Sequence, residues 1–243
     1  MPRGLGMPTE ADDSVLESHR RGFGGHGATV SGPFPRFGIL LAAMLSELTV
    51  APFVVMATGT LLVARLLGLI VMVAALSVIG ANRTAVSLFV GAVAFHLAST
   101  VSRAPFVGAG AEVFRLVFLT YVLWLIMRRV LRDRVVTLDT VAGAACVYFL
   151  LGLVWADLFL LVERWRPGSF IVPSTWMVGS GRDLRSALLY FSFATLTTVG
   201  YGDIHPSDPA AGSLCTAEAL IGQLYLAIMI ARMVGLHTSQ RSS

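Results

Sequence analysis

Residues 184–203 read LRSALLYFSFATLTTVGYGD, and this stretch contains the most specific pattern in the chain. Its apolar first part predicts a helix, which at roughly 1.5 Å per residue is too short to cross a bilayer. The glycine-rich TTVGYGD that follows predicts non-helical backbone. Such backbone is tolerated at membrane depth only where it is buried in protein or lines water. The stretch therefore predicts a re-entrant half-helix followed by a loop along an aqueous path.

Apolar runs flank this stretch and continue toward the N terminus. They approach the roughly 20 residues that a helix needs to cross a bilayer. Hydrophobic residues make up 56% of the chain and charged residues 13%, against about a quarter charged in soluble domains. This composition argues against a soluble, disordered or disulfide-rich protein. The six predicted spans are at about 37–57, 61–80, 85–102, 105–127, 138–162 and 213–234.

The string TVGYG at 198–202, followed by Asp203, closely resembles the selectivity filter of the tetrameric potassium-channel family. The resemblance implies that backbone carbonyl oxygens replace the hydration shell of K⁺, and that the Thr198 hydroxyl adds the innermost ring. Carbonyls that face one axis in succession require a backbone of alternating handedness, which Gly200 and Gly202 adopt at little cost. The filter residues are then Thr198, Val199, Gly200, Tyr201 and Gly202, with K⁺ held at the first four.

The resemblance extends to residues that support the filter. Many members tie an aromatic residue of the pore helix to the acid after the filter, and Tyr190 and Asp203 stand at these places. Thr197 lies where the helix end directs its negative partial charge at the cavity. Many members also carry a carboxylate where this chain has Ala194. Gly222 stands where the family commonly has a hinge glycine, but packing is an equally open interpretation.

Several ionisable residues lie inside the apolar runs, where such groups usually face protein. Glu112 and Arg115 are three positions apart, so we expect them to pair on one helix face. For Glu47 and His96, a helix–helix hydrogen bond is favoured over a proton-responsive switch. Glu218 either braces the pore helix or faces the conduction path, and the sequence does not separate the two. The predicted intramembrane polar network is thus Glu47, His96, Glu112, Arg115 and Glu218.

The fourth predicted span, 105–127, carries a single arginine, Arg115. Voltage-gated relatives carry arginines at every third position of this span. One charge that crosses 100 mV is worth about 2.3 kcal/mol, and steep sensing uses three or four charges per subunit. We therefore expect a bacterial-type relative that lacks an arginine-rich voltage-sensing helix.

All 18 basic residues are arginines, and their distribution predicts the orientation of the chain. With both termini cytoplasmic, eleven lie on the inner side and five on the outer side. We expect a multi-pass protein of the plasma membrane or bacterial inner membrane, without a signal peptide. The predicted divisions are a disordered cytoplasmic tail (1–35), a four-helix module resembling a degenerate voltage sensor (36–134), a pore domain (135–236) and a short cytoplasmic tail (237–243).

The predicted fold is thus an all-α membrane protein with six transmembrane helices and a re-entrant pore helix and filter between the last two. The resemblance implies a potassium-selective channel subunit, not an enzyme, that conducts K⁺ passively. One filter segment per chain means that a closed ring needs several chains, and the resemblance implies four, a homotetramer. Membrane lipid is the other expected partner, and no cofactor, nucleic acid or soluble ligand-binding domain is expected. The alternatives are a non-selective monovalent cation channel, or an ion-transporter or regulatory membrane subunit with a filter-like loop.

Overall fold

The computed structural model describes residues 36–58, 62–80, 82–101, 105–133, 136–176 and 184–241. These residues belong to one compact unit that covers 34–243. The predicted N-terminal tail, 1–35, lies outside the described residues.

The described part of the chain is mostly helical. Two short strands, β1 (Phe170–Ile171) and β2 (His205–Pro206), pair antiparallel, with Phe170 opposite Pro206. A 3₁₀ turn, Ser174–Trp176, follows β1. The helices are α1 (Arg36–Thr58), α2 (Leu62–Ile79), α3 (Arg83–Val101), α4 (Pro105–Arg132), α5 (Leu138–Trp165), α6 (Leu184–Leu196) and α7 (Pro209–Arg241).

A helix occupies each of the six predicted spans. Four of them are long and apolar enough to cross a membrane, judged by length and composition, over Phe37–Val54, Val107–Arg132, Leu138–Trp165 and Pro209–Thr238. The apolar parts of α2 and α3 are shorter, at Leu66–Ile79 and Arg83–Ala98. With 18 and 19 residues, these two helices are about 27–29 Å long, just under the roughly 30 Å hydrocarbon core.

A continuous apolar core joins α1, α2 and α4 to α5. In α4, the core residues Phe118, Val122 and Ile126 recur at intervals of four, which places them on one helix face. Cys146 of α5 contacts the main chain of α1, with its Sγ 3.3 Å from the Phe37 oxygen. The core therefore crosses the predicted boundary between the four-helix module and the pore domain, and that division remains a prediction.

A second, smaller core holds α6 against α5, β1 and the first turns of α7. Three rings meet at its centre, and the centroid of Phe159 lies 5.1 Å from that of Phe170 and 5.5 Å from that of Phe191. The turn after α5 is closed by Glu163, whose carboxylate accepts hydrogen bonds from the amides of Gly168 and Phe170. This packing fixes the depth at which the half-helix α6 sits beside α5.

α7 begins at a capped N terminus and extends further than predicted. Asp208 Oδ1 accepts hydrogen bonds from the amides of Ala210 at 2.8 Å and Ala211 at 2.9 Å. The hydrogen bond from Ala211 is the main reason that the pKa of Asp208 lies below its ordinary value. The helix continues to Arg241, so most of the predicted tail 237–243 is helical.

Candidate ion-conducting site

The segment that follows α6 has an alternating backbone. φ is positive at every second residue: +59° at Thr198, +56° at Gly200 and +81° at Gly202. Thr198 is the one non-glycine residue with positive φ in the described part of the chain. This conformation is strained for a β-branched residue, and such strain concentrates at functional sites. The alternation is the arrangement that successive carbonyls need to face one side of the segment.

The segment is anchored to the end of α6 by its own amides. Val199 N and Gly200 N donate to the oxygen of Ala194 at 2.9 and 3.1 Å, and Thr198 N donates to the oxygen of Thr195 at 2.9 Å. These bonds satisfy carbonyls at the C terminus of α6, which have no partner within the helix. The N–H groups of the segment thus make the anchor, and its carbonyl groups are not needed for it.

Two aromatic rings and a carboxylate support the segment on the side of α6. The ring of Tyr201 stacks on that of Tyr190, with centroids 6.2 Å apart and planes 6° from parallel. Asp203 interacts with the Tyr190 hydroxyl, and the predicted hydrogen bond between the two stays a prediction. The other face of Tyr190 stacks on Trp176 at 4.5 Å. Within a single chain Val199 is still 53% exposed and Tyr201 71% exposed, so α6 covers these side chains only in part.

Helix α5 contacts α6 along two successive turns. The hydroxyl of Ser192 lies 2.8 Å from the oxygen of Gly152, and the Phe193 ring packs directly against the same glycine. One turn earlier in α5, the Tyr148 hydroxyl donates to the oxygen of Leu196 at 3.2 Å. A bare backbone at 152 lets α6 approach closely, and the tyrosine satisfies a carbonyl at the end of α6.

Helix α7 also contacts α6 over two turns. Glu218 is fully buried, and its Oε1 lies 2.5 Å from Ser192 Oγ. Glu218 thus contacts α6, which agrees with the first of the two orientations that the sequence left open, and its role as a brace of a pore helix stays a prediction.

Gly222 lies one turn after Glu218 and presses on the end of α6. A Cβ added to Gly222 would lie 2.7 Å from Leu196 Cδ1 and 2.8 Å from the Leu196 oxygen. α7 runs through this position without a break. These observations favour close packing, and the hinge role remains a prediction.

The buried charges pair between helices. Arg115 of α4 forms an ion pair with Asp157 of α5, and Arg164 Nε lies 2.6 Å from Glu112 Oε2. The prediction that Glu112 and Arg115 pair with each other is therefore wrong. Both face α5, which presents an opposite charge to each of them two turns apart.

A further ion pair links α1 to α6. Arg185, at the start of α6, places Nη2 2.7 Å from Glu47 Oε1 of α1, and its Nε lies 3.9 Å from Asp157 Oδ1. Glu47 thus makes a contact between helices, while His96 is half-buried in α3.

Sequence reasoning missed four residues of these contacts. Asp157 is an acid within an apolar run, whereas Ser192 is one of several hydroxyl-bearing residues in the half-helix, so only Asp157 carried a clear signal. Arg164 and Arg185 are among the five arginines that the predicted orientation places on the outer side, near the ends of apolar runs. Only the packing of the helices shows that they turn back toward buried acids.

Comparisons with known proteins agree with this geometry. Residues 136–238, less than half of the chain, match a protein-family model described as an ion channel. Over 68 residues the chain is 37% identical to the inward rectifier potassium channel Kirbac3.1 of Paramagnetospirillum magnetotacticum, which covers 28% of this chain and 18% of that protein. No solved structure matches. The chain thus contains a segment that matches an ion-channel family model and is similar over part of its length to a potassium channel, which points to a channel and not to an enzyme.

Proposed function

We propose that this chain is the subunit of a potassium-selective channel, in which residues 198–202 of four copies surround one axis and conduct K⁺ passively. The observation that carries the proposal is the alternating backbone of TVGYG, anchored to α6 by its amides. That arrangement leaves the carbonyl groups available as substitutes for the water around the ion. Thr198, Val199, Gly200 and Tyr201 would supply these oxygens.

The need for several copies follows from what a single chain leaves uncovered. Residues 197–203 are all exposed, yet irregular backbone is not tolerated against lipid. On α7, Leu220, Leu224 and Ile228 recur at intervals of four and are each 59% exposed. Neighbouring copies packed on this face would enclose the filter segments around a central path. Cyclic symmetry closes such an arrangement without leaving a free edge.

The proposal includes six transmembrane helices, with α6 re-entrant and both termini cytoplasmic, in the cell membrane. Arg115, the one charge that a voltage sensor would use in the fourth span, is 12% exposed and paired with Asp157. Since it is held by a buried partner, we expect at most shallow voltage dependence. A steep conductance–voltage curve would contradict this part of the proposal.

Flux from liposomes tests the proposal. The purified chain is reconstituted with a K⁺ gradient, and we expect K⁺ efflux together with a reversal potential that follows K⁺ and not Na⁺. Gly200→Ala should abolish the efflux, because φ of +56° is strained for alanine. Gly80→Ala is the matched control, since Gly80 has φ of +80° and lies in the turn between α2 and α3.

The alternatives correspond to definite outcomes of the same experiment. A reversal potential that follows Na⁺ and K⁺ equally would indicate a non-selective cation channel. Absence of flux from correctly inserted protein would favour a transporter or regulatory subunit. Unchanged selective flux through Gly200→Ala would contradict the filter assignment.

A further inference from the structure

Three helices meet at the hydroxyl of Ser192. Its Oγ lies 2.8 Å from the oxygen of Gly152 on α5 and 2.5 Å from Glu218 Oε1 on α7. Both Ser192 and Glu218 are fully buried. Ser192 is therefore the point at which α6 is held between α5 and α7, one turn before Leu196.

The number of protons at this point constrains the state of Glu218. A serine hydroxyl carries one proton, so it can donate to Gly152 or to Glu218, but not to both. The two contacts are hydrogen bonds together only if the second proton comes from the Glu218 carboxyl. The chain of donors then runs from Glu218 to Ser192 and from Ser192 to the Gly152 oxygen.

The surroundings of Glu218 also favour a neutral carboxyl. Its second oxygen, Oε2, is buried and has no hydrogen-bond partner. None of the ion pairs found among the described residues includes Glu218. The titratable groups that face it are Tyr148 of α5 and Cys215 of α7 itself, while α6 presents Ser192. A bare carboxylate in this position would be buried without compensation, which is strongly unfavourable.

We propose that a protonated Glu218 is a positioning residue for conduction. It donates a hydrogen bond to Ser192, and this bond fixes α6, together with the filter segment anchored to it, to α7. The route to the filter is short, because Ala194, whose oxygen accepts the amides of Val199 and Gly200, lies two residues after Ser192. A shift of α6 along α7 would move that oxygen and disturb the alternating backbone. The inference rests on the proposed function.

Variants of the full chain in liposomes test the inference. Glu218→Gln keeps both the shape and a donor, so K⁺ efflux and K⁺/Na⁺ selectivity should stay within about twofold of the unmodified protein. Glu218→Ala and Ser192→Ala should each lower the efflux about tenfold, since each breaks the donor chain in a buried site. The double variant should lose no more than the single ones, because the two residues act as one unit. Ser77→Ala is the matched control, as Ser77 Oγ bonds only to its own helix at Ala74.

Infrared difference spectra supply a readout that does not depend on flux. The spectrum of the unmodified protein minus that of Glu218→Gln should show a protonated carboxyl band at neutral pH. A carboxylate band in its place would overturn the inference, as would Glu218→Gln that is as impaired as Glu218→Ala.

The outcomes separate this inference from the proposed function. If the unmodified protein conducts and Glu218→Ala conducts equally well with the same selectivity, the inference alone fails. If the unmodified protein carries no K⁺ flux, the proposed function fails, and the inference, which depends on it, falls with it. A carboxyl band in that case would describe only the state of Glu218.

Discussion

Thr198 and its neighbours show how much a single residue's backbone conformation contributes to the site. Glycine takes positive φ without steric cost, so the positive φ of Gly200 and Gly202 needs no stabilisation from other residues. Thr198 adopts φ of +59° although it is β-branched, which the surrounding structure must stabilise. The amide of Thr198 bonds to Thr195, and this bond is part of that stabilisation. Thr198 is thus held in its strained conformation by the C-terminal end of α6.

Gly222→Ala separates the two roles considered for this glycine. Its Cβ would lie 2.8 Å from a backbone oxygen of Leu196, which cannot rotate away, so we expect a loss of stability of about 1–3 kcal/mol. The measurement is the thermal unfolding midpoint of the purified protein. Gly235→Ala, in the same helix but with open space around it, should be neutral or slightly stabilising. If Gly222→Ala keeps its unfolding midpoint and alters only channel opening, the glycine is a hinge.

At the scale of elements, ion pairs between helices replace the pairing within α4 that spacing suggested. Two ion pairs join α4 to α5, Arg115 with Asp157 and Glu112 with Arg164. Arg185 extends the arrangement to the start of α6 and to Glu47 of α1. The half-helix therefore has charged contacts at its first turn and hydrogen-bonded contacts at its last.

Asp157→Asn tests the most buried of these pairs. It leaves Arg115 charged in a dry site, so we expect a loss of about 3 kcal/mol or more in stability. The double variant Arg115→Met, Asp157→Leu should recover most of that loss, because neither charge then remains. Chemical or thermal unfolding in detergent measures both. A double variant that is as unstable as Asp157→Asn would mean that the pair contributes net stability beyond charge neutralisation.

The N terminus of α7 has a pH-dependent cap. Hydrogen bonds to the Asp208 carboxylate hold its pKa below the ordinary value, so its contribution to stability is present above that value, 3.8, and is lost as the pH falls through the lowered pKa. Asp208→Ala should therefore unfold at a lower temperature than the unmodified protein at pH 7, and the gap should narrow as the pH falls below 3.8. Asp208→Asn, which still caps, should show a smaller gap at pH 7. A gap that does not depend on pH would contradict the role of the charge.

At the scale of the whole molecule, residues 197–203 and one face of α7 are exposed in a single chain, and under the proposed function neighbouring copies would cover them. Leu224 is 59% exposed on α7 and Leu66 is 49% exposed on α2. Leu224→Gln should lower the fraction of tetramer, because a polar group enters the proposed interface between copies. Leu66→Gln places the same change on α2 and should leave the tetramer intact. Native mass spectrometry or cross-linking in detergent measures both, and an unaffected Leu224→Gln would place the interface elsewhere.

Local pattern in the sequence accounts for much of the predicted architecture. The half-helix, the glycine-dependent alternation after it and the helices in the six predicted spans all depend on residues close together in the chain. The interaction of Asp203 with Tyr190 was foreseen, because the resemblance supplied the pairing, and their hydrogen bond stays a prediction. The partners of Glu112 and Arg115 were not, since side chains on one helix face meet whichever opposite charge the neighbouring helix presents.

The sequence by itself thus determined the filter string, its lead-in helix and the apolar segments around them, because length, hydropathy and glycine position act locally. Only the tertiary structure decided that Asp157 and Arg185 join the buried charges, that Gly222 presses on Leu196, and that Glu218 meets Ser192. These contacts depend on how far each helix is rotated and shifted against its neighbours. That rotation is settled by the packing of the whole core, which no single stretch of residues specifies.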